Sequence, residues 1–328
     1  MKAIVVAGTG GPEGLELREM PEPQPREGEV LVHVEAAGLN YADVMAAQGE
    51  YSGGPQPPYI PGREFAGTVA ATGERVMGYC DFGAFAQQVA ASAGRLWPAP
   101  PQFTAVQAAA FPVNFFTAFL ALWEAGLVER QPDHDIRFPG GRRPRVLIHS
   151  VGGGVGTAAV QIGKLLNLET YGTASTDSKI QGAFALGLEH GIVSSRQDYL
   201  ALIREHTKGD GVDAVLEMLG GEETARSIRT MGFLGRCITY GSATGKPPQF
   251  DPRELYGKAQ SVWGLWLNRL VSRPEPTRKA FEFLARWVSE GKLKPAIGHV
   301  LPLEQAPEAM TLLAQRKAFG KVVLRVQP

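Results

Sequence analysis

Residues 145–166, RVLIHSVGGGVGTAAVQIGKLL, constrain this chain more than any other stretch. Val146 to His149 read as a buried strand, a glycine-rich turn follows, and Val155, Ala158, Ala159, Ile162, Leu165 and Leu166 recur with the period of a helix's inward stripe. Gly153, Gly154 and Gly156, with Val155 among them, suit a backbone that turns tightly, approaches a pyrophosphate closely and packs helix against strand. The helix start supplies free N–H groups for the anion. A glycine fingerprint alone is weak, and a glycine-rich turn in some other α/β protein is the plain alternative. Here a strand precedes it, a helix follows and further βαβ units lie behind it, which is the context a dinucleotide site requires.

The pattern continues through the middle of the chain. LETYGTA leads into a helix near 180–188, VDAVLEML into one near 222–231, and GRCITYGS reads as a further strand. Strands alternating with helices imply an α/β domain with a doubly wound parallel sheet. The first third differs: turn-rich GTGGPEG, PEPQPREGE and YSGGPQPPYIPG separate strand-like EVLVHVEAAGLN and EFAGTVAATG, so this part reads as β-rich. An amphipathic helix at 277–290 and a closing strand, GKVVLRV, end the chain. With 328 residues, and roughly 100–200 residues per domain, about two domains are expected. The segment 129–145, ERQPDHDIRFPGGRRPR, carries five arginines and reads as a solvated connector with no assigned function.

Several function classes are excluded. Lys plus Arg (33) equals Asp plus Glu (33), which removes the electrostatic case for nucleic acid or an anionic membrane surface. Cys80 and Cys237 are the only cysteines and the six histidines are scattered, so neither a disulfide framework nor a four-cysteine zinc site is available. His33, His149 and His190 fall in strands or strand edges and read as structural. The most apolar stretch, 103–123, is broken by Gln107, Pro112 and Asn114 and does not read as a membrane span. The opening MKAIVV shows no apolar signal run, so a soluble, cytoplasmic protein is expected.

Which dinucleotide is expected turns on the end of the second strand, where an NAD site places an acid against the ribose hydroxyl. Tyr171-Gly172-Thr173-Ala174-Ser175 offers none, and the following turn supplies Ser175, Thr176, Ser178 and Lys179, groups suited to a 2′-phosphate. Asp177 in the same turn counts the other way, although it comes late for the ribose position. NADPH is favoured, with NADH possible.

AAGLNYADVMAAQGEY (36–51), PPYIPGREFAGTV (57–69), AAAFPVNFFTAFLAL (108–122), HSVGGGVGTAAVQI (149–162), GRCITYG (235–241), QSVWGLWLNRL (260–270) and GKVVL (320–324) together resemble the zinc-independent medium-chain dehydrogenase/reductases. The resemblance spans nearly the whole chain and points to the quinone oxidoreductase, or zeta-crystallin, branch. The turn 172–175 and SVWGLWLNRL are most similar to its vesicle amine transport protein homologues. It implies a GroES-like β-barrel catalytic domain from 1–118 and 265–328, a Rossmann NADP-binding domain from 119–264, an active-site cleft and a homodimer joined at the Rossmann sheet edges.

Zinc-dependent relatives take their catalytic metal from a Cys after the AAG-type strand, a His in Gly-His-Glu and a third ligand in the central segment. Those places hold Asn40-Tyr41, Gly62-Arg63-Glu64 and Asn114-Phe115-Phe116, so metal-assisted alcohol oxidation is not expected. By resemblance, Asn40, Asp43 and Tyr51 line the nicotinamide end, with Tyr51 covering the pocket and donating a hydrogen bond to the acceptor, while Asp43 reads equally as a helix cap. Thr117, with Asn114 beside it, matches the ribose region, though Asn114 reads equally as a turn residue after Pro112. Gly241 and Ser242 end a strand at the carboxyl edge of the sheet. Trp263 to Leu267 resembles the segment nearing the nicotinamide, and Trp266 reads rather as packing.

Three departures bear on the cofactor and the barrel. A tyrosine that often holds the 2′-phosphate is replaced at Ser194-Ser195-Arg196, so Arg196 either supplies that charge or marks tolerance of NADH. Ser150 stands where a glycine is frequent, and the loop between Ala71 and Met77 is short. The expected activity is hydride transfer from NADPH to a quinone or enone. The alternatives are a 2-enoyl thioester or alkenal reductase and a non-catalytic NADPH-binding structural protein.

Overall fold

The computed structural model describes residues 1–129, 134–271 and 273–327. Two compact units emerge, one of Met1–Phe116 with Leu267–Pro328 and one of Thr117–Trp266. Along the chain the first unit holds β1 (Lys2–Val6), β2 (Leu15–Glu19), β3 (Glu29–Gly38), β4 (Glu64–Val69), β5 (Arg75–Tyr79), β6 (Gln88–Ser92) and β7 (Leu96–Pro98). The second holds β8 (Arg145–Ile148), β9 (Glu169–Ala174), β10 (His190–Val193), β11 (Val212–Glu217), β12 (Met231–Thr239) and β13 (Ser261–Gly264). The chain then returns to the first unit for β14 (Ile297–Pro302) and β15 (Lys321–Arg325).

In the first unit a seven-stranded sheet runs β14-β15-β3-β4-β5-β7, with β6 paired to β3. β3 shows why: Val32, Val34 and Ala36 are buried while His33 and Glu35 between them are not, the period-two alternation of a sheet with one covered face. Val32 and Val34 join Ile4, Val6, Phe65, Phe85, Val322 and Leu324 in one core. β15 pairs parallel with β14 and antiparallel with β3, so the chain's last strand closes a sheet begun by its first third.

The second unit is an all-parallel sheet in the order β10-β9-β8-β11-β12-β13. Renumbered within the unit this is 3-2-1-4-5-6, the doubly wound dinucleotide-binding order. β11 is buried along its whole length, as a central strand covered on both faces must be. The crossover helices are Gly154–Leu165, Asp177–Leu186, Tyr199–His206 and Glu223–Arg229. The strand order reverses between β8 and β11, the switch point where such sheets take ligands at their carboxyl ends.

Several boundaries and one segment differ from the sequence reading. The helix expected at 180–188 starts at Asp177, because the Thr176 side chain accepts the Lys179 N–H, and it ends at left-handed Gly187. The helix expected to reach 231 stops at Arg229, and Met231 already begins β12. Asn114 lies inside the helix Pro112–Glu124, not in a turn. The segment 129–145 is more than a solvated connector, although 130–133 lie outside the described residues. Arg137 and Phe138 are buried, and Arg142 grips Asp213 of β11 with two hydrogen bonds of 2.7 Å. Arg143 and Arg145 pair with Glu189 and Glu169. The buried Asp213 carboxylate is compensated by a cation that this segment supplies. Among the described residues no helix is long and apolar enough to cross a membrane.

Candidate active site

In the first unit the end of β3 delivers Asn40 in extended conformation to cap the helix Tyr41–Ala47. The Asp43 carboxylate accepts the Asn40 backbone N–H at 2.8 Å, so Asp43 does act as a helix-start cap. The Asn40 side chain is held at both ends. Its amide donates to Glu64 Oε1 at 2.9 Å and its oxygen accepts from Lys321 Nζ at 2.7 Å. Lys321 also rests against Glu64 Oε1 and donates to Asn114 Oδ1 at 3.4 Å. Glu64 Oε2 accepts the Val113 N–H at 2.8 Å, and Asn114 Nδ2 donates to the Ala110 carbonyl at 3.2 Å. All four side chains are buried. Gly38 admits this cluster, since a Cβ there would meet Ala109 O at 2.5 Å and Lys321 Cε at 2.8 Å.

Beside it, Arg63 is sandwiched between aromatic rings, its guanidinium carbon 4.1 Å from the Tyr51 centroid and 4.4 Å from that of Phe82. Asp43 Oδ1 faces Arg63 Nε at 3.5 Å, both side chains at 2% exposure or less. None of the guanidinium nitrogens meets hydrogen-bond geometry with an acceptor among the described residues. Burial pushes the Asp43 carboxyl up to about 6, against the pull of Arg63, the Asn40 N–H and Lys321. Burial works against the Arg63 charge as well, but Asp43, Tyr51 and Tyr79 outweigh it and hold its pKa above the ordinary value.

The structure therefore brings Asn40, Asp43, Asn114 and Tyr51 into one region, joined by Arg63, Glu64 and Lys321, which the sequence reading does not name as site residues. Lys321 has one available signal: it stands directly before the apolar run Val322-Val323-Leu324, and the structure buries all four residues. A zinc ion does not fit this donor set. The three ligand places hold two amides and a guanidinium, and the Lys321 ammonium already occupies both amide oxygens. Among the described residues no three His, Cys, Asp or Glu side chains gather as a metal site.

In the second unit β8 runs into Ser150, whose φ of 56° is left-handed, the conformation that explains why glycine is frequent there. Gly153 then caps the helix Gly154–Leu165 without a side-chain cap, so no capping side chain takes up the first-turn N–H groups. A Cβ on Gly156 would lie 2.3 Å from the Ser150 carbonyl oxygen and 2.7 Å from Val151 Cα, so only glycine fits where helix and turn meet. The turn fits a dinucleotide pyrophosphate. Lys179 packs its stem on this turn, since a Cβ on Gly152 would meet its Cβ and Cδ at 3.0 Å. Ser175 follows β9, and its carbonyl accepts the Ser195 hydroxyl at 3.0 Å. Arg196 is engaged by Asp177 through bonds of 2.6 and 2.5 Å.

The remaining candidates take separate places. Thr117 is buried in the helix Pro112–Glu124. Gly241 and Ser242 follow the carboxyl end of β12, and the Ser242 hydroxyl donates to the Lys246 carbonyl within its own loop. His149 is buried between the Thr173 hydroxyl at 2.9 Å and the Ser227 hydroxyl at 2.8 Å, and burial holds its pKa down to about 3. Trp263 and Trp266 are 53% and 42% exposed.

Comparison with known proteins agrees with this architecture. Residues 26–101 match the family described as alcohol dehydrogenase GroES-like domain, and residues 186–324 match that described as zinc-binding dehydrogenase. The synaptic vesicle membrane protein VAT-1 homolog-like of Mus musculus is 32% identical over 100% of this chain and 82% of its own length. The quinone oxidoreductase of Sus scrofa is 30% identical over 99% and 97%. The quinone oxidoreductase of Thermus thermophilus, solved also as its complex with NADPH, is 34% identical with a TM-score of 0.86, covering 99% of this chain and 100% of that one. With its GroES-like first unit and doubly wound second unit, this chain belongs to the medium-chain dehydrogenase/reductases, in the group that holds the quinone oxidoreductases and the VAT-1 homologues.

Proposed function

We propose that this oxidoreductase uses NADPH, without zinc, to reduce a quinone or a related α,β-unsaturated carbonyl. The observation that carries the reading is the buried Lys321–Glu64 pair with Asn40 and Asn114, next to Arg63, where zinc-dependent relatives need metal ligands. Two fixed cations, Lys321 and Arg63, at those places disfavour a bound Lewis acid that would polarise an alcohol or a simple carbonyl. The acceptor must then be electrophilic on its own, as quinones and enones are. When bound, the reduced nicotinamide supplies the hydride equivalent.

The chain's own groups bind and orient. The N–H groups of Gly154, Val155 and Gly156, with the turn at Gly153, take the pyrophosphate. Ser175, Lys179 and Arg196 serve the 2′-phosphate, Thr117 the ribose region, and Gly241 and Ser242 the sheet edge beyond β12. Asn40 and Asp43 hold the start of their helix against Glu64 and Arg63, and the proton reaches the acceptor oxygen from water or from Tyr51, which is stacked on Arg63. The same reading includes a cytoplasmic homodimer formed along β13, an edge strand that carries exposed Trp263.

The test is a fluorescence titration with NADPH and NADH, followed by a 1,4-quinone in the same cuvette, with and without a zinc chelator. NADPH binding with chelator-insensitive, quinone-dependent oxidation is expected. Binding without turnover would redirect the acceptor to enones and enoyl thioesters, and failure to bind either nucleotide would end the enzyme reading.

A further inference from the structure

The 2′-phosphate end of the cofactor site contains its own competitor. Arg196 lies in the turn after β10 and Asp177 opens the helix after β9, and the parallel pairing of those strands brings them side by side. Both nitrogens of the guanidinium fork are spent on the two carboxylate oxygens, at 2.6 and 2.5 Å. Both residues are about 60% exposed, so the pair meets solvent and any nucleotide that arrives. A guanidinium fork is the group that binds a phosphate bidentately, and here a carboxylate already fills it. Around the pair, the Thr176 and Ser178 hydroxyls bond to each other at 3.0 Å, and Ser195 bonds to the Ser175 carbonyl at 3.0 Å.

We propose that Asp177 sets the preference between NADPH and NADH by holding Arg196 until a 2′-phosphate displaces it. The inference rests on the cofactor reading above. No covalent bond is made or broken: one ion pair, Arg196 with Asp177, is exchanged for another, Arg196 with phosphate. NADPH binding must break the existing pair and set a phosphate near a freed carboxylate. NADH binding leaves the pair intact. The pair therefore lowers the advantage of NADPH, and the chain accepts both cofactors more evenly than its serines and Lys179 alone would allow.

The test measures dissociation constants of NADPH and NADH by fluorescence for the full chain and for Asp177→Asn, Arg196→Met and the double variant, at low and high KCl. Asp177→Asn is expected to tighten NADPH about fivefold, the size of one exposed ion pair, with NADH changed less than about twofold. Arg196→Met should weaken NADPH and abolish the gain from Asp177→Asn. The effect should shrink in high salt, because both groups are exposed. An unchanged NADPH-to-NADH ratio in Asp177→Asn overturns the proposal, as does an equal gain in the Arg196→Met background. If the parent chain binds neither nucleotide, the cofactor reading and this inference fall together, an outcome distinct from an unchanged ratio with tight binding.

Discussion

Lys321 on β15 and Glu64 on β4 form an ion pair with both side chains at 3% exposure or less, and Asn40 bonds to both partners at once. This cluster ties the last strand to the sheet built by the first third of the chain. Removing one member leaves the other as a buried, uncompensated charge. Lys321→Met or Glu64→Gln alone should cost about 3–5 kcal/mol, and the double variant less than the sum. Urea unfolding of the full chain checks this, and additive costs would show that the two side chains do not act as a pair.

Asp43 gives the first unit a specific pH dependence. Burial outweighs Arg63 and raises its carboxyl to about 6 from the ordinary 3.8, so the folded chain holds this proton more tightly than the unfolded one. The resulting stabilisation is complete below about pH 4 and is lost as pH rises through about 6, amounting to about 3 kcal/mol at most. The stability of the parent minus that of Asp43→Asn should fall across pH 4–6 and stay level above 7. A rise across that window would mean that Arg63, not burial, governs the carboxyl.

His149 works in the opposite direction. Burial, and then Arg226, lowers its pKa to about 3 from 6.5. The neutral ring donates to one hydroxyl and accepts from the other, and the unfolded chain takes up the proton first. Its contribution is present above pH 6.5 and is lost on acidification toward 3, on the order of 5 kcal/mol. His149→Gln, which keeps one donor and one acceptor, should flatten this acid limb. An unchanged limb would show that other groups set the acid sensitivity of the second unit.

The doubly wound unit is legible in the sequence because its signals are local. The glycine turn, the apolar β11 and the helix caps each lie within a few residues of one another, and each agrees with the others. Asn40, Asp43 and Tyr51 are named as candidates by resemblance. The pairing of Asn40 with Lys321 is not, since it joins distant segments and an isolated lysine in sequence reads as surface. The arginines of 129–145 mislead for a related reason. Their charge suggests solvation, whereas Asp213, flanked by Val212 and Ala214 in the buried strand VDAVLE, is the sign that a buried partner is needed. Arg196 is recognisable as a candidate cation, but its capture by Asp177 depends on the pairing of β9 with β10.

The turn between β8 and the helix Gly154–Leu165 invites two substitutions with opposite outcomes. Gly156→Ala places a methyl 2.3 Å from the Ser150 carbonyl oxygen, which belongs to backbone and cannot swing aside as a side chain would. The turn must shift, and the N–H groups proposed to take the pyrophosphate shift with it. NADPH affinity should fall at least about tenfold, the cost of misplacing one or two charge-assisted hydrogen bonds, while the remainder of the sheet stays folded. Ser150→Gly relieves a left-handed non-glycine residue, a cost of about 1–2 kcal/mol, against about 0.5–1 kcal/mol of added chain entropy. The net gain should be at most about 1.5 kcal/mol, with nucleotide affinity retained. Thermal unfolding and NADPH titration of both variants separate the effects. Unchanged affinity in Gly156→Ala would remove this turn from the cofactor site.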